Sequence, residues 1–176
     1  MPKDKSIQGL PDILAGGLNV VFCGINPGMR SASLGQHFAG RSNRFWRVLH
    51  LSGFTSELML PENANSLLGY RCGLTSAVER PTTSASDLKK NEFIEARPRL
   101  ERKIRRYAPR YIAFLGKPAC SAIFSQRELS WGRQPDRFGG ANVWVLPNPS
   151  GLNFAFPLES LITAYRELFE AARLCD

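Results

Sequence analysis

Residues 18–28, LNVVFCGINPG, decide how the rest of the chain is read. Leu18 to Ile25 is an apolar, β-branched run too short for a buried helix, and it stops at the turn residues Asn26-Pro27-Gly28. Such a run predicts a strand buried on both faces, followed by a sharp turn. Two further runs match it, YIAFLG at 111–116 and NVWVLP at 142–147, and YRCGLTSAV at 70–78 is a weaker fourth. Between them, helical patterns cover about 43–52, 62–68, 86–107 and 118–126, with Pro98 expected to break or kink the third; a last helix spans 158–174. Alternating strands and helices predict a mainly parallel sheet with helices on both faces. The expected fold is a single-domain, three-layer α/β/α sandwich with four to five strands. A chain of 176 residues suits one domain, with 1–11 expected to be a flexible N-terminal segment.

Composition narrows the function classes. No apolar run approaches the ~20 residues of a membrane span, and the N-terminus has no apolar core with a cleavage site. A soluble, cytosolic protein is expected. Cys23, Cys72, Cys120 and Cys175 are widely spaced without a C-x-x-C pair, which argues against zinc or an iron–sulfur cluster and for reduced thiols used as small apolar residues. Neither metal nor cofactor is expected. Net charge is +8 and the pI about 9.7, a balance that favours polyanionic partners. Most of it sits in RPRLERKIRRYAPR, 97–110, whose seven cations and one Glu leave only +2 for the remainder. This segment ends just before a strand begins, so its densest part is expected at the edge remote from a ligand.

Ligands in open α/β sheets bind beyond the carboxyl ends of the strands. Those ends read NPGMRS, ERPTTS, GKPACS and NPSGLN. Two of them carry Asn-Pro followed by a small residue, Asn26-Pro27-Gly28 and Asn148-Pro149-Ser150-Gly151. Dinucleotide, P-loop and nucleophile-elbow fingerprints are absent, and no carboxylate pair lies at a strand end. Of the two histidines, His50 reads as helical and His37 as a loop residue able to touch ligand. The edge therefore offers amides, hydroxyls and backbone N–H groups. Lys117, at a helix start with Pro118 behind it, offers a phosphate seat.

GINPG, FAGRSNRFWRVL, YRCGLT, RPTTSA, LGK, VWVLPNPSGL and AYREL together resemble the bacterial mismatch-specific uracil-DNA glycosylases, relatives of thymine-DNA glycosylase. The resemblance spans about Asp12 to Leu168 and implies excision of uracil, more weakly thymine or exocyclic cytosine adducts such as ethenocytosine, opposite guanine in double-stranded DNA. It implies a monofunctional, dissociative enzyme acting on a flipped nucleotide; a monomer is the natural expectation for a protein that tracks along DNA. Carried onto matching positions, Asn26 holds the attacking water and Phe38 stacks on the base. Main-chain groups around Ile25 and Ser31 bond the base edge, and Asn148 supports O2 of the departing base. Gly28 leaves room for a 5-methyl group. Leu152 is the wedge, flanked by Ser150 and by Gly151, whose main chain faces the widowed guanine. Two positions depart from the pattern: Phe154 stands where relatives carry Arg, and Ser76 where a bacterial relative carries Lys. A preference for hypoxanthine or xanthine, or binding of lesions without cleavage, remains an alternative. Arg30, Arg41, Arg44, Arg80 and Lys117 are the cations expected to reach phosphates.

Overall fold

The computed structural model describes residues 9–174. The apolar runs form β1 (Val20–Gly24), β2 (Cys72–Ser76), β3 (Tyr111–Leu115) and β5 (Ala141–Leu146), all parallel, and β4 (Gly132–Phe138) joins β5 antiparallel. The order is β2-β1-β3-β5-β4. Because the chain leaves β1 for β2 on one side and later returns to β3 on the other, β1 and β3 flank the point where winding reverses, the usual place for a ligand crevice.

Alternation along each strand divides the interior into two cores. Val20, Phe22, Leu74, Ala113, Leu115, Trp144 and Leu146 point to one face, where α2 (Phe45–Ser52) and α5 (Leu158–Arg173) cover them. Val21, Cys23, Ile112, Phe114, Val143 and Val145 point to the other, under α3 (Lys90–Tyr107) and α4 (Lys117–Phe124). Every residue of β1 and β3 is buried, as continuous apolar runs require. The single-domain α/β/α sandwich is thus present with five strands.

Five details depart from the sequence reading. β4 is built from GRQPDRF, whose Gly, Pro and charges disguise a strand; it lies at the sheet edge, with a register shift between Arg133 and Arg137 around Pro135. Only an edge tolerates a residue without a ladder donor. Pro98 does not break α3, which is continuous from Lys90 to Tyr107. Phe93 before it and Leu100 and Ile104 after it are buried in the same core, so packing sustains the helix on both sides of the proline. The stretch at 86–89 is separate from that helix, with a short 3₁₀ turn at Ala85–Asp87. Residues 61–70 wind as 3₁₀ turns, and NPGMRS, read from sequence as loop, runs into a short helix, α1 (Met29–Leu34).

Cys23, Cys72 and Cys120 are free and buried; burial pushes the Cys72 and Cys120 thiols up to about 12. Cys175 lies outside the described residues. Among those residues no cluster suits a metal ion, and no helix is long and apolar enough to cross a membrane. The expected flexible segment 1–11 falls outside the described residues for 1–8; of the rest, Leu10 lines the cleft described below and Pro11 gives its carbonyl to His37. The basic helix does lie with its C-terminal half away from the strands' carboxyl ends. Gly139, in the turn that precedes β5, sits so close to α3 that a Cβ would fall 3.0 Å from the Arg105 nitrogen.

Candidate active site

A cleft of about 190 Å³ opens at the carboxyl ends of β1, β2 and β5. A cavity of about 150 Å³ holds a benzene-sized ring, so the space suits one six-membered base. Of the residues singled out from sequence, Ile25, Asn26, Gly28, Ser31, Phe38, Asn148, Ser150 and Leu152 line it. Gly151 and Lys117 do not. Lys117 instead places its Nζ 4.4 Å from the centre of the Trp131 ring, a cation–π contact.

Asn26 owes its orientation to the second strand-end loop. Its Nδ2 donates to the Arg80 carbonyl at 2.8 Å and to Thr82 Oγ1 at 2.7 Å. A carbonyl only accepts, so Nδ2 must occupy that side. Thr82 Oγ1 passes its own proton on to the Ser84 carbonyl at 2.7 Å, which leaves it an acceptor toward Asn26. Both amide hydrogens are thus committed, and Oδ1 remains as an acceptor for the cleft. The backbone locks the same two loops together: Thr82 N–H donates to the Pro27 carbonyl, and Ala77 and Val78 N–H donate to Gly24 and Ile25 carbonyls. The Ile25 carbonyl is therefore occupied.

Asn148 is fixed the opposite way round. Its Oδ1 accepts the Ser150 N–H at 2.9 Å, and its own carbonyl accepts Asn153 Nδ2. Since a backbone N–H only donates, Oδ1 must face the loop, and Nδ2 is the pole left for the cleft. The cleft is thus lined by one amide acceptor and one amide donor.

Phe38 forms the platform. Its ring stacks on buried Phe45 at 3.9 Å with the planes 24° apart, so its other face is free for the cleft it lines. Its φ of 53° is left-handed, costly for a bulky residue and sustained only where neighbours over-determine it. They do: Ser31 Oγ accepts the Ala39 N–H, and Trp46 Nε1 donates to the His37 carbonyl. His37 itself is buried and lines the cleft; Nε2 faces the Pro11 carbonyl at 2.8 Å and must carry the proton. Burial lowers its pKa. Among the described residues, no Asp or Glu lines the cleft.

Sequence reading missed two supporting residues. Thr82 looks like ordinary turn chemistry in RPTTS until its hydroxyl is seen to orient Asn26. Arg44, expected on a phosphate, points inward: its guanidinium donates to the carbonyls of Pro149, Ser150, Asn153 and Phe156 at 2.7–3.3 Å. Its backbone N–H also bonds Pro149. Arg80 is likewise engaged, held bidentately by Glu92 at 2.8 Å, and this pairing brings the Glu92 carboxyl down to about 2. The cations left at the rim are Arg30, which gives only Nε to the Ala39 carbonyl, and exposed Arg41. Four strand-end loops were expected to converge; the third contributes only Leu115.

From the other end of the chain, Tyr165 of AYREL is fully buried and donates to the Pro147 carbonyl at 3.1 Å, securing the turn that carries Asn148.

Comparison with known proteins agrees with this architecture. A solved structure of a Methanosarcina acetivorans protein, provisionally described as a uracil DNA glycosylase, superposes with a TM-score of 0.59 at 22% identity. The match covers 92% of this chain and 98% of that one. The family model described as the uracil DNA glycosylase superfamily matches residues 11–169. With nearly the whole chain matched, this protein belongs to the uracil DNA glycosylase superfamily.

Proposed function

We propose that the protein is a monofunctional DNA glycosylase that extrudes uracil from mismatches with guanine, hydrolyses its N-glycosidic bond and leaves an abasic site. Thymine and exocyclic cytosine adducts such as ethenocytosine are weaker substrates. The observation that carries this reading is the pair of oppositely poled amides beside the Phe38 platform, in a cleft sized for one base.

Among the described residues no carboxylate lines the cleft, and burial lowers the pKa of His37 and so makes it a weak base, which leaves no strong general base there. The bond to C1′ therefore breaks first, its electron pair leaving with the base, and an oxocarbenium-like sugar forms. Asn148 Nδ2 donates to the base oxygen as negative charge grows there, an interaction stronger in the transition state than before it. Water, hydrogen-bonded to Asn26 Oδ1, then adds to C1′ and loses its proton to the departing base or to solvent. Positioning is the main service Asn26 provides. Modest turnover follows.

Gly28 bears on substrate range. Nothing lies within 4 Å of the Cβ it lacks, so this wall does not exclude a 5-methyl group, and rejection of thymine by it is weak.

The test uses duplexes with uracil, thymine or ethenocytosine opposite guanine, and with hypoxanthine or xanthine, followed by alkali. Scission at uracil is the expected result. Scission at the purine lesions alone assigns a different substrate, and specific binding without scission makes the protein a lesion binder.

A further inference from the structure

The loop after β5 displays two large apolar side chains to solvent. Leu152 is 70% exposed and Phe154 88%, the highest value for a large apolar residue among the described residues. The loop beneath them is closely tied. Asn153 N–H donates to the Ser150 carbonyl, Leu152 N–H to Ser150 Oγ, Phe154 N–H to the Leu152 carbonyl and Phe156 N–H to the Asn153 carbonyl. Arg44 grips four of its carbonyls from below. Gly151 approaches Ser42 so closely that a Cβ would fall 2.4 Å from the Ser42 Cβ. The loop's polar groups are thus largely consumed within the protein, and what it presents outward is apolar.

Its position limits what it can meet. Leu152 lines the cleft mouth, Phe154 lies two residues beyond it, and exposed Arg41 adjoins the Ser42 on which Gly151 rests. An apolar tip beside free cations fits the stacked, phosphate-flanked interior of a DNA duplex. We infer that Phe154 is the second half of the wedge. While Leu152 fills the gap left by an extruded nucleotide, the Phe154 ring stacks on the base face exposed at the same step. The inference rests on the base-excision reading above. Because every base has a π-face, this contact holds the gap open without reading which base borders it.

Excision should be compared on a duplex and on a single strand carrying the same uracil, since a single strand has little stacking to replace. Phe154→Ala is expected to slow duplex excision roughly 5- to 150-fold, the range for losing one aromatic–base stack. Single-strand excision should stay within about threefold, and Phe154→Trp should restore the duplex rate. Equal loss on both substrates, or no loss on duplex, overturns the proposal. A binding measurement separates it from the base-excision reading. Wild-type protein is expected to prefer a duplex with a non-cleavable abasic analogue over an intact duplex at fixed salt, and Phe154→Ala to lose that preference by the same factor. An unchanged preference refutes the role of Phe154 whatever the catalytic outcome, whereas a wild type that cleaves neither substrate refutes only the excision reading.

Discussion

Asn26 and Asn148 line one cleft with opposite ends of the same functional group. Each end is dictated by a backbone partner, the Arg80 carbonyl for Asn26 and the Ser150 N–H for Asn148. The roles are therefore separable by substitution. Asn26→Ala is expected to slow excision about 10²-fold or more and to lower stability by about 1–2 kcal/mol through two lost hydrogen bonds. Asn148→Asp keeps the acceptor for Ser150 but presents carboxylate oxygen to a departing anion. It should slow single-turnover excision by at least the ~10²–10³-fold typical of a lost oxyanion donor, with little change in melting temperature. An Asn148→Asp variant as active as wild type rules out the donor role.

Gly28 has extended backbone, φ −71° and ψ 158°, which any residue adopts. With open space where its side chain would be, Gly28→Tyr should fold normally and narrow the pocket. The expected outcome is a fall in thymine relative to uracil excision by tenfold or more, measured as a ratio of single-turnover rates. Equal losses on both bases place the discriminating wall elsewhere.

Arg44 tethers the wedge loop through four carbonyls. Lysine cannot reproduce that planar fork, so Arg44→Lys should behave nearly as badly as Arg44→Ala. With charge-assisted bonds partly replaced by water, the expected cost is roughly 2–4 kcal/mol, or a melting temperature lower by roughly 5–15 °C. Duplex excision should fall further than stability alone explains, and titrating salt should leave the binding slope unchanged, since the guanidinium is spent on loop carbonyls.

His37 ties stability to pH. Its folded pKa lies below its ordinary value because it is buried, so the unfolded chain takes up the proton first as pH falls. The contribution is complete above the unfolded pKa of about 6.5 and is lost as pH drops from there through the folded value, by at most about 1.4 kcal/mol per unit. Denaturant melts at pH 8, 6.5 and 5 should show this decline, and His37→Gln, which can still donate to Pro11, should flatten it.

How much was legible from sequence followed from how local each signal was. Buried strands announce themselves, because alternate residues of VVFCG and YIAFL must satisfy two cores, and the turn residues after them mark the ligand edge. β4 stayed hidden because an edge strand obeys weaker rules, and GRQPDRF uses that freedom. Asn26, Phe38 and Asn148, which share one cleft, were singled out through motif and resemblance. Thr82 and Arg44 were not, because their meaning lies in partners 56 and 105–112 positions away, and an arginine among basic residues reads as a phosphate ligand until its carbonyls are seen. The same long range explains why Arg80 looked free when Glu92, across a turn, holds it.

The Tyr165–Pro147 bond has a consequence in time. Asn148 hangs from a turn held by the last helix, and that helix also packs against α2, which begins beside Arg44. A chain still emerging from the ribosome can pair β1 with β2 and β3 and close both sides of Asn26 long before Tyr165 is made. Tyr165 adds its bond to the Arg44 grip on the loop that carries Asn148, so the donor half of the cleft gains its full set of anchors later than the acceptor half.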